Sequence, residues 1–95
     1  MERPHVPLGT TYNHSYYPIL LKNSAQRERV TNQLIANGVT PRRYFHPSLN
    51  VLPYVTTSGC MHSESAAERV LCLPLYAGLA LADVQRISRL ISAAL

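Results

Sequence analysis

The chain has 95 residues, of which 46% are hydrophobic and 15% are charged. This length and composition are typical of a single small globular domain, and they exclude a disordered tail and a collagen-like repeat. Nine basic residues against five acidic ones give a net charge of +4, which favours anionic partners such as phosphates, carboxylates or an acidic protein surface.

The first part of the chain predicts an arm followed by an edge strand. Residues 1–11 are rich in Pro, Gly and Thr without periodicity, which is typical of a linker or an N-terminal arm. The aromatic and aliphatic run Tyr16–Leu21 predicts a strand. Because Pro18 has no backbone N–H, this strand should lie at a sheet edge or contain a bulge.

Capping residues delimit the first predicted helix. Asn23 and Gln26 have the spacing of a capping box, so a helix should run from about Ser24 to Asn37. Gly38 follows at the position where a left-handed residue commonly ends a helix. The predicted buried face of this helix consists of Val30, Leu34 and Ile35.

The middle of the chain predicts an extended segment and a long loop. Arg42–His46 should be extended, and Pro47 should end it. Residues 48–62 carry Pro53 and Gly59 and predict a loop.

Two further helices are predicted in the C-terminal third. Ser65 and Glu68 form a second capping-box pattern, which predicts a short helix over residues 63–71, followed by an extended segment at Cys72–Tyr76. The last helix has Asp83 at its N-terminal end, where a negative charge is favourable. Its apolar residues predict a buried face formed by Val84, Ile87, Leu90, Ile91 and Leu95.

The order of these elements predicts an α+β fold in two layers, a small, mainly antiparallel sheet of three to four strands with helices on one face. We expect residues 12–95 to form this domain. The longest apolar stretch, Val70–Ala82, is shorter than the roughly 20 residues that a membrane span needs. The N-terminus lacks the basic and then apolar layout of a signal peptide, so the cytoplasm is the expected location.

The residues by themselves indicate no catalytic, metal or cofactor site. No pair among the five acids is typical of general acid–base catalysis. A zinc site would need ligands at unusual spacings, taken from Cys60, His62, Cys72 and either His46 or His14. Lys22 is the only lysine, and its position after an apolar strand is that of an ordinary solvated charge.

One segment concentrates binding chemistry. Arg42–Pro47 places two guanidinium groups, two aromatic rings and an imidazole in consecutive positions. Arginine suits bidentate contact with phosphate or carboxylate, and aromatic rings can cover an apolar ring face. On a strand the side chains would alternate between two faces, one with Arg42, Tyr44 and His46 and the other with Arg43 and Phe45. The alternative is an edge strand with Phe45 in the core and solvated arginines.

The same segment carries a family resemblance. Arg42–Leu49, then Ser63-Glu64 and Arg69–Tyr76, resemble the C-terminal end of the DegT/DnrJ/StrS sugar aminotransferases. Tyr16–Ile19 and the first and last predicted helices follow in the matching order, so the resemblance covers the chain from about Tyr12 onward. The RRYF-x-P form is most similar to the branch that aminates keto groups on dTDP-linked 6-deoxyhexoses.

The resemblance implies a dimeric, pyridoxal-phosphate-dependent enzyme with the type I aminotransferase fold. Such enzymes move an amino group from glutamate to a keto sugar on a nucleotide, in the biosynthesis of deoxysugars or cell-surface polysaccharides such as lipopolysaccharide. The family's large N-terminal domain holds the cofactor and its lysine, and this chain has no match to that domain. The resemblance therefore implies a small C-terminal domain that binds no cofactor alone and contributes substrate contacts through Arg43, Tyr44, Phe45 and His46.

Two functions of other classes stay open. Basic residues interleaved with aromatic ones could bind single-stranded nucleic acid, although no recognition-module motif is present. A protein-interaction domain is the second alternative, because the apolar run Val70–Ala82 would drive self-association if no partner covered it.

Overall fold

The computed structural model describes residues 1–56 and 59–95. In chain order the elements of these residues are β1 (Pro18–Leu20), α1 (Ser24–Ala36), a 3₁₀ turn (Leu49–Val51), α2 (Met61–Arg69), β2 (Val70–Cys72) and α3 (Leu81–Ala94). The α+β fold class predicted from the sequence is thus confirmed. None of the helices in this described part is both long and apolar enough to cross a membrane.

The sheet is smaller than the sequence predicts. β1 and β2 pair in antiparallel register. A single backbone bridge extends the pairing of each strand, because Glu2 bridges to Leu20 and Arg42 bridges to Cys72. Each bridging segment has a proline within two residues of its bridge, and proline cannot donate a ladder hydrogen bond. The described residues therefore contain two strands, and the predicted three to four strands are not confirmed.

The core lies between the sheet and two helices. Ile19 and Leu71 stand directly opposite each other in β1 and β2, and both side chains are fully buried. α1 and α3 pack against each other and over this pair. The buried core cluster consists of Ile19, Leu21, Val30, Leu34, Val39, Leu71, Ile87 and Ile91.

Both ends of α1 lie within one residue of their predicted positions. Asn23 Oδ1 accepts a hydrogen bond from the backbone N–H of Gln26 at 2.8 Å, as in a capping box. The Gln26 side chain accepts from the backbone N–H of Lys22 at 2.7 Å, one residue before the position that the capping box uses. At the other end Gly38 has a φ of +80°, the left-handed conformation that glycine adopts at low cost.

The buried face of α1 is narrower than predicted. Val30 and Leu34 are fully buried, but Ile35 is 57% exposed. Val30 and Leu34 are four residues apart and share a face, whereas Ile35 is turned by about 100° from Leu34. The prediction that Ile35 is buried is therefore wrong.

The predicted apolar face of α3 is buried only in its middle. Ile87 and Ile91 belong to the core, and Leu90 packs against it. Val84 and Leu95, at the two ends of the predicted face, are 44% and 49% exposed. The core therefore covers only the middle of α3.

α2 and β2 lie earlier in the chain than predicted. The helix predicted over residues 63–71 occupies Met61–Arg69, and Ser65 lies inside it instead of capping it. Val70 and Leu71 belong to β2, because pairing with β1 engages their backbone groups. The extended segment predicted at Cys72–Tyr76 shares only Cys72 with this strand. The predicted loop over residues 48–62 contains the 3₁₀ turn, and residues 57 and 58 lie outside the described residues.

Truncation of two neighbouring residues tests the burial described for α1. Leu34→Ala should lower the free energy of unfolding by about 2–5 kcal/mol, because it leaves a cavity in the core. Ile35→Ala should change it by about 0.5 kcal/mol or less, because the side chain is largely in solvent. Urea unfolding followed by circular dichroism measures both values. Equal losses at the two positions would contradict this packing of α1.

Candidate functional site

The C-terminal end of α2 positions the candidate site. The last four carbonyl groups of a helix have no partner within it and need one elsewhere. In α2, backbone N–H groups bind the first and the last of the four, the carbonyls of Ala66 and Arg69. The middle two, on Ala67 and Glu68, accept hydrogen bonds from arginine side chains. This helix end is therefore fully satisfied by groups from other segments.

The two arginines come from different parts of the chain. Arg27 of α1 is buried, and its Nε donates to the Glu68 carbonyl at 2.8 Å. Arg43 donates from Nη2 to the Ala67 carbonyl at 3.1 Å. Cations are favoured at a helix C-terminus because the free carbonyls carry partial negative charge. Arg43 is thus fixed against α2, and this contact sets the position at which the loop of residues 44–46 begins.

Arg43, His46 and Glu68 form a cluster of charged and titratable groups. Arg43 Nη2 lies 3.0 Å from His46 Nδ1 and 4.0 Å from one carboxylate oxygen of Glu68. His46 Nδ1 lies 3.9 Å from the other carboxylate oxygen. In the neutral imidazole, Nδ1 accepts from Arg43 and the proton resides on Nε2, which leaves an N–H donor for a ligand.

An aromatic cluster lies beside this charged cluster. The rings of Tyr44 and Phe45 stack with their centroids 5.4 Å apart. Tyr16 meets these rings edge-on at 5.7 Å and 5.8 Å. Phe45 is 68% exposed, so the alternative that places it in the core is wrong. Its exposed ring can cover an apolar face of a ligand.

The segment after Arg42 is a turn and not a strand. Arg42 pairs with Cys72 through its backbone, but a turn at Tyr44 and Phe45 follows. The predicted alternation of faces is therefore wrong: Arg43 contacts His46, and Tyr44 stacks on Phe45. Directly before this turn, the Arg43 side chain is bonded to the end of α2.

Sequence patterns miss two residues of the site. Glu68 fits a capping pattern in the sequence, yet its carboxylate faces Arg43 and His46. Tyr16 fits a strand, yet its ring contacts the aromatic cluster. Residues 42–47 contain two arginines and no acid, which indicates a carboxylate partner from elsewhere in the chain. The neighbouring sequence does not identify which acid this is.

Cys72 connects the candidate site to the sheet. Its backbone exchanges hydrogen bonds of 2.7 Å and 3.0 Å with Arg42, and its thiol donates to the Tyr44 carbonyl at 3.4 Å. The side chain is 5% exposed, and this burial raises the pKa of the Cys72 thiol. The residue is therefore held as a neutral thiol behind the loop.

Comparison with known proteins gives one consistent result. Residues 2–92 match the DegT/DnrJ/EryC1/StrS aminotransferase family. The chain belongs to this family. The expected resemblance, drawn from the Arg42–Leu49 segment and its flanking motifs, is thus confirmed.

Individual members of the family resemble the chain over most of its length. It is 29% identical over 92 aligned residues to the dTDP-4-amino-4,6-dideoxy-D-glucose transaminase of Escherichia coli, covering 88% of the chain and 25% of that protein. It is 33% identical over 89 residues to the GDP-perosamine synthase of Caulobacter vibrioides, covering 90% of the chain and 24% of that protein. The crystal structure of a family aminotransferase from Brucella abortus superposes with a TM-score of 0.82 at 28% identity, over 97% of the chain and 25% of that structure.

The chain spans about a quarter of the length of the relatives it matches. A lysine that binds pyridoxal phosphate needs a desolvated pocket with partners for the cofactor. Lys22 lies exposed between β1 and α1, so this lysine does not fit that role. Within residues 1–56 and 59–95, no three side chains of His, Cys, Asp or Glu are grouped so that they could hold a metal ion.

Neighbouring arginines test the anchoring of the loop. Arg43→Ala should lower the free energy of unfolding by about 1 kcal/mol, because it removes a charge-assisted hydrogen bond at a partly exposed site. Arg42→Ala should change it by about 0.5 kcal/mol or less, because Arg42 pairs through its backbone. Thermal unfolding of the two variants measures the difference. A larger loss for Arg42→Ala would overturn the assignment of Arg43 as the anchor.

The two cysteines provide an independent probe of the same region. Cys60 is exposed and Cys72 is buried with a raised pKa, so a thiol reagent should modify Cys60 first in the folded chain. Cys72 should react at a comparable rate only after unfolding. The two rates follow from mass spectrometry of timed, quenched samples. Fast modification of Cys72 in the folded chain would show that the Tyr44 turn does not cover it.

Proposed function

We propose that this chain forms the C-terminal part of a pyridoxal-phosphate-dependent aminotransferase. The enzyme would transfer an amino group from glutamate to a nucleotide-linked keto-deoxysugar, in the cytoplasm and for deoxysugar or cell-surface polysaccharide biosynthesis. The observation that carries the proposal is the family match over residues 2–92. Relatives named for a dTDP sugar and for a GDP sugar support a nucleotide-linked substrate.

The loop from Arg43 to His46 is the part of the chain that would contact the sugar nucleotide. Arg43 and His46 are each about a third exposed. Apart from the buried Nε of Arg43, their N–H groups can reach an anionic or hydroxyl group of the substrate. The rings of Tyr44 and Phe45 would pack against the sugar. Glu68 would act as a positioning residue, because its carboxylate faces both basic side chains.

The cofactor would reside in a large domain that this chain does not match. An apolar groove of about 260 Å³ supports contact with such a domain. It lies between α3 and the segment before it, and its lining includes Tyr17, Leu73, Leu75, Leu79, Val84 and Leu95. The large domain would cover this groove, since the relatives are about four times as long as the chain. Without that cover, the groove would favour self-association.

A chimera tests the proposal. This chain would replace the matching quarter of the Escherichia coli transaminase, and 2-oxoglutarate release from glutamate would be measured with a dTDP-linked 4-keto-6-deoxyhexose. We expect amino transfer by the chimera. Arg43→Ala should lower kcat/KM for the nucleotide sugar about 10- to 150-fold, as the loss of a charge-assisted contact predicts. The visible absorbance of the bound cofactor should not change.

Arg42→Ala in the same chimera is the matched control, and it should leave kcat/KM within about two-fold of the parent chimera. A folded chimera that binds the cofactor but aminates no nucleotide sugar would overturn the proposed function. Loss of cofactor binding in Arg43→Ala would overturn the role of the loop. The chain alone, treated with pyridoxal phosphate and borohydride, should leave Lys22 unlabelled, and stoichiometric labelling would contradict the placement of the cofactor in another domain.

A further inference from the structure

The N-terminal arm is fixed to the sheet and carries Arg3 at a defined position. Glu2 and Leu20 exchange two backbone hydrogen bonds of 2.8 Å each. Because these bonds fix the backbone of Glu2 at the edge of β1, they also fix where Arg3 begins. Arg3 Nη1 donates to the Tyr17 hydroxyl at 2.6 Å, and the guanidinium carbon lies 5.2 Å from the centroid of the Tyr17 ring. The guanidinium group is therefore oriented by two contacts with one tyrosine.

The partner of Arg3 differs from those of five of the other seven arginines. Five arginines donate to backbone carbonyl groups of the described chain, namely Arg27, Arg29, Arg43, Arg69 and Arg86. Arg3 instead bonds to a neutral phenol, and within the described residues its Nε and Nη2 make no hydrogen bond. In that part of the chain its positive charge has no oxyanion opposite it. The Nε–Nη2 edge is one of the two edges with which guanidinium binds a phosphate bidentately.

A cavity of about 350 Å³ lies at this position, which we call the arm pocket. Arg3, His5 and His14 supply its cationic or titratable groups, and Thr10, Tyr12 and Tyr17 supply hydroxyl groups. Pro4, Val6, Pro7 and Pro18 complete the lining, and no carboxylate is among these residues. The volume lies within the range of small-ligand sites. Most of the lining surface is apolar, and the polar groups within it are donors that suit an oxyanion.

A constrained turn carries two of the residues that line the arm pocket, Tyr12 and His14. His14 has a φ of +53°, a conformation that residues other than glycine seldom adopt and that costs free energy to maintain. Asn13 Oδ1 accepts from the Ser15 N–H at 3.2 Å, and the Tyr12 hydroxyl donates to the Tyr16 carbonyl at 3.0 Å. The His14 ring meets the Tyr12 ring edge-on at 4.7 Å. The imidazole is exposed and lies against the Tyr12 ring in the wall.

We propose that the arm pocket binds a phosphate group, either as free phosphate or as a phosphate ester, through the Nε–Nη2 edge of Arg3. His14 and the hydroxyl groups of Thr10 and Tyr17 donate further hydrogen bonds to the phosphate oxygens. This site is separate from the Arg43–His46 loop, and the inference does not depend on the aminotransferase function.

Phosphate titration of the 95-residue chain tests the proposal. Backbone amide shifts in ¹H–¹⁵N NMR spectra would be followed with inorganic phosphate, glucose 1-phosphate and UDP, at constant ionic strength set with chloride. We expect saturable shifts confined to residues 2–18. Tighter binding of the esters assigns the site to a phosphate ester, and tighter binding of inorganic phosphate assigns it to the free anion. No saturable shift with any of the three would overturn the proposal.

Variants of the lining separate a built site from general attraction by a basic protein. Arg3→Gln should weaken binding about ten-fold or more, and Arg3→Lys should recover part of the loss because it keeps the charge without the planar fork. His14→Asn removes the imidazole but tolerates the left-handed turn, and should weaken binding several-fold. Arg89→Gln on α3 is the control and should bind as the parent does. Equal affinity of Arg3→Gln and the parent, with core shifts unchanged in both, would overturn the site.

Discussion

The four carbonyl groups at the C-terminal end of α2 are the constraint on which the rest of the structure depends. A buried carbonyl without a partner costs about 1–3 kcal/mol, so each needs a donor from elsewhere. Two donors are backbone N–H groups, and two are the guanidinium groups of Arg27 and Arg43. The satisfied helix end joins α1, the strand pair and the candidate loop at a single place. The geometry of the Arg43–His46 loop is thus a consequence of how one helix ends.

Local patterns in the sequence predict the local features of the fold. Asn23 at the start of α1 and Gly38 after its end are residue types whose conformational preferences act within one turn of the chain, and both ends of α1 follow from them. The capping pattern at Ser65 and Glu68 predicts a helix start that does not occur, because α2 begins at Met61. A capping pattern inside a helix is indistinguishable from one at its start when tertiary contacts decide where the helix begins.

Non-local contacts set the features that the sequence does not predict. Ile35 is as apolar as Leu34, and its exposure depends on which neighbours α1 packs against. The residues of the Arg43–His46 loop are recognisable as a group from their chemistry, but their arrangement depends on Ala67 and Glu68, more than twenty residues away. The number of strands depends on how many consecutive residues of each segment pair with the neighbouring strand. A bridge of one residue, as at Glu2 or Arg42, leaves no pattern in the sequence. Residue types therefore predict which groups take part, while packing determines how they face one another.

The direct passage from α2 into β2, with no residue between Arg69 and Val70, fixes the length of this part of the chain. One inserted residue would rotate the helix end by about 100° relative to the strand, and the carbonyls of Ala67 and Glu68 would turn away from their arginines. If the helix kept its place instead, the strand would shift by one position and Leu71 would leave the core for the opposite face. A side-chain substitution at this junction changes the free energy of unfolding by an amount that depends on the residue. An insertion or deletion, in contrast, breaks either the arginine–carbonyl bonds or the strand register. Among related sequences, this junction should therefore vary in residue type and stay constant in length.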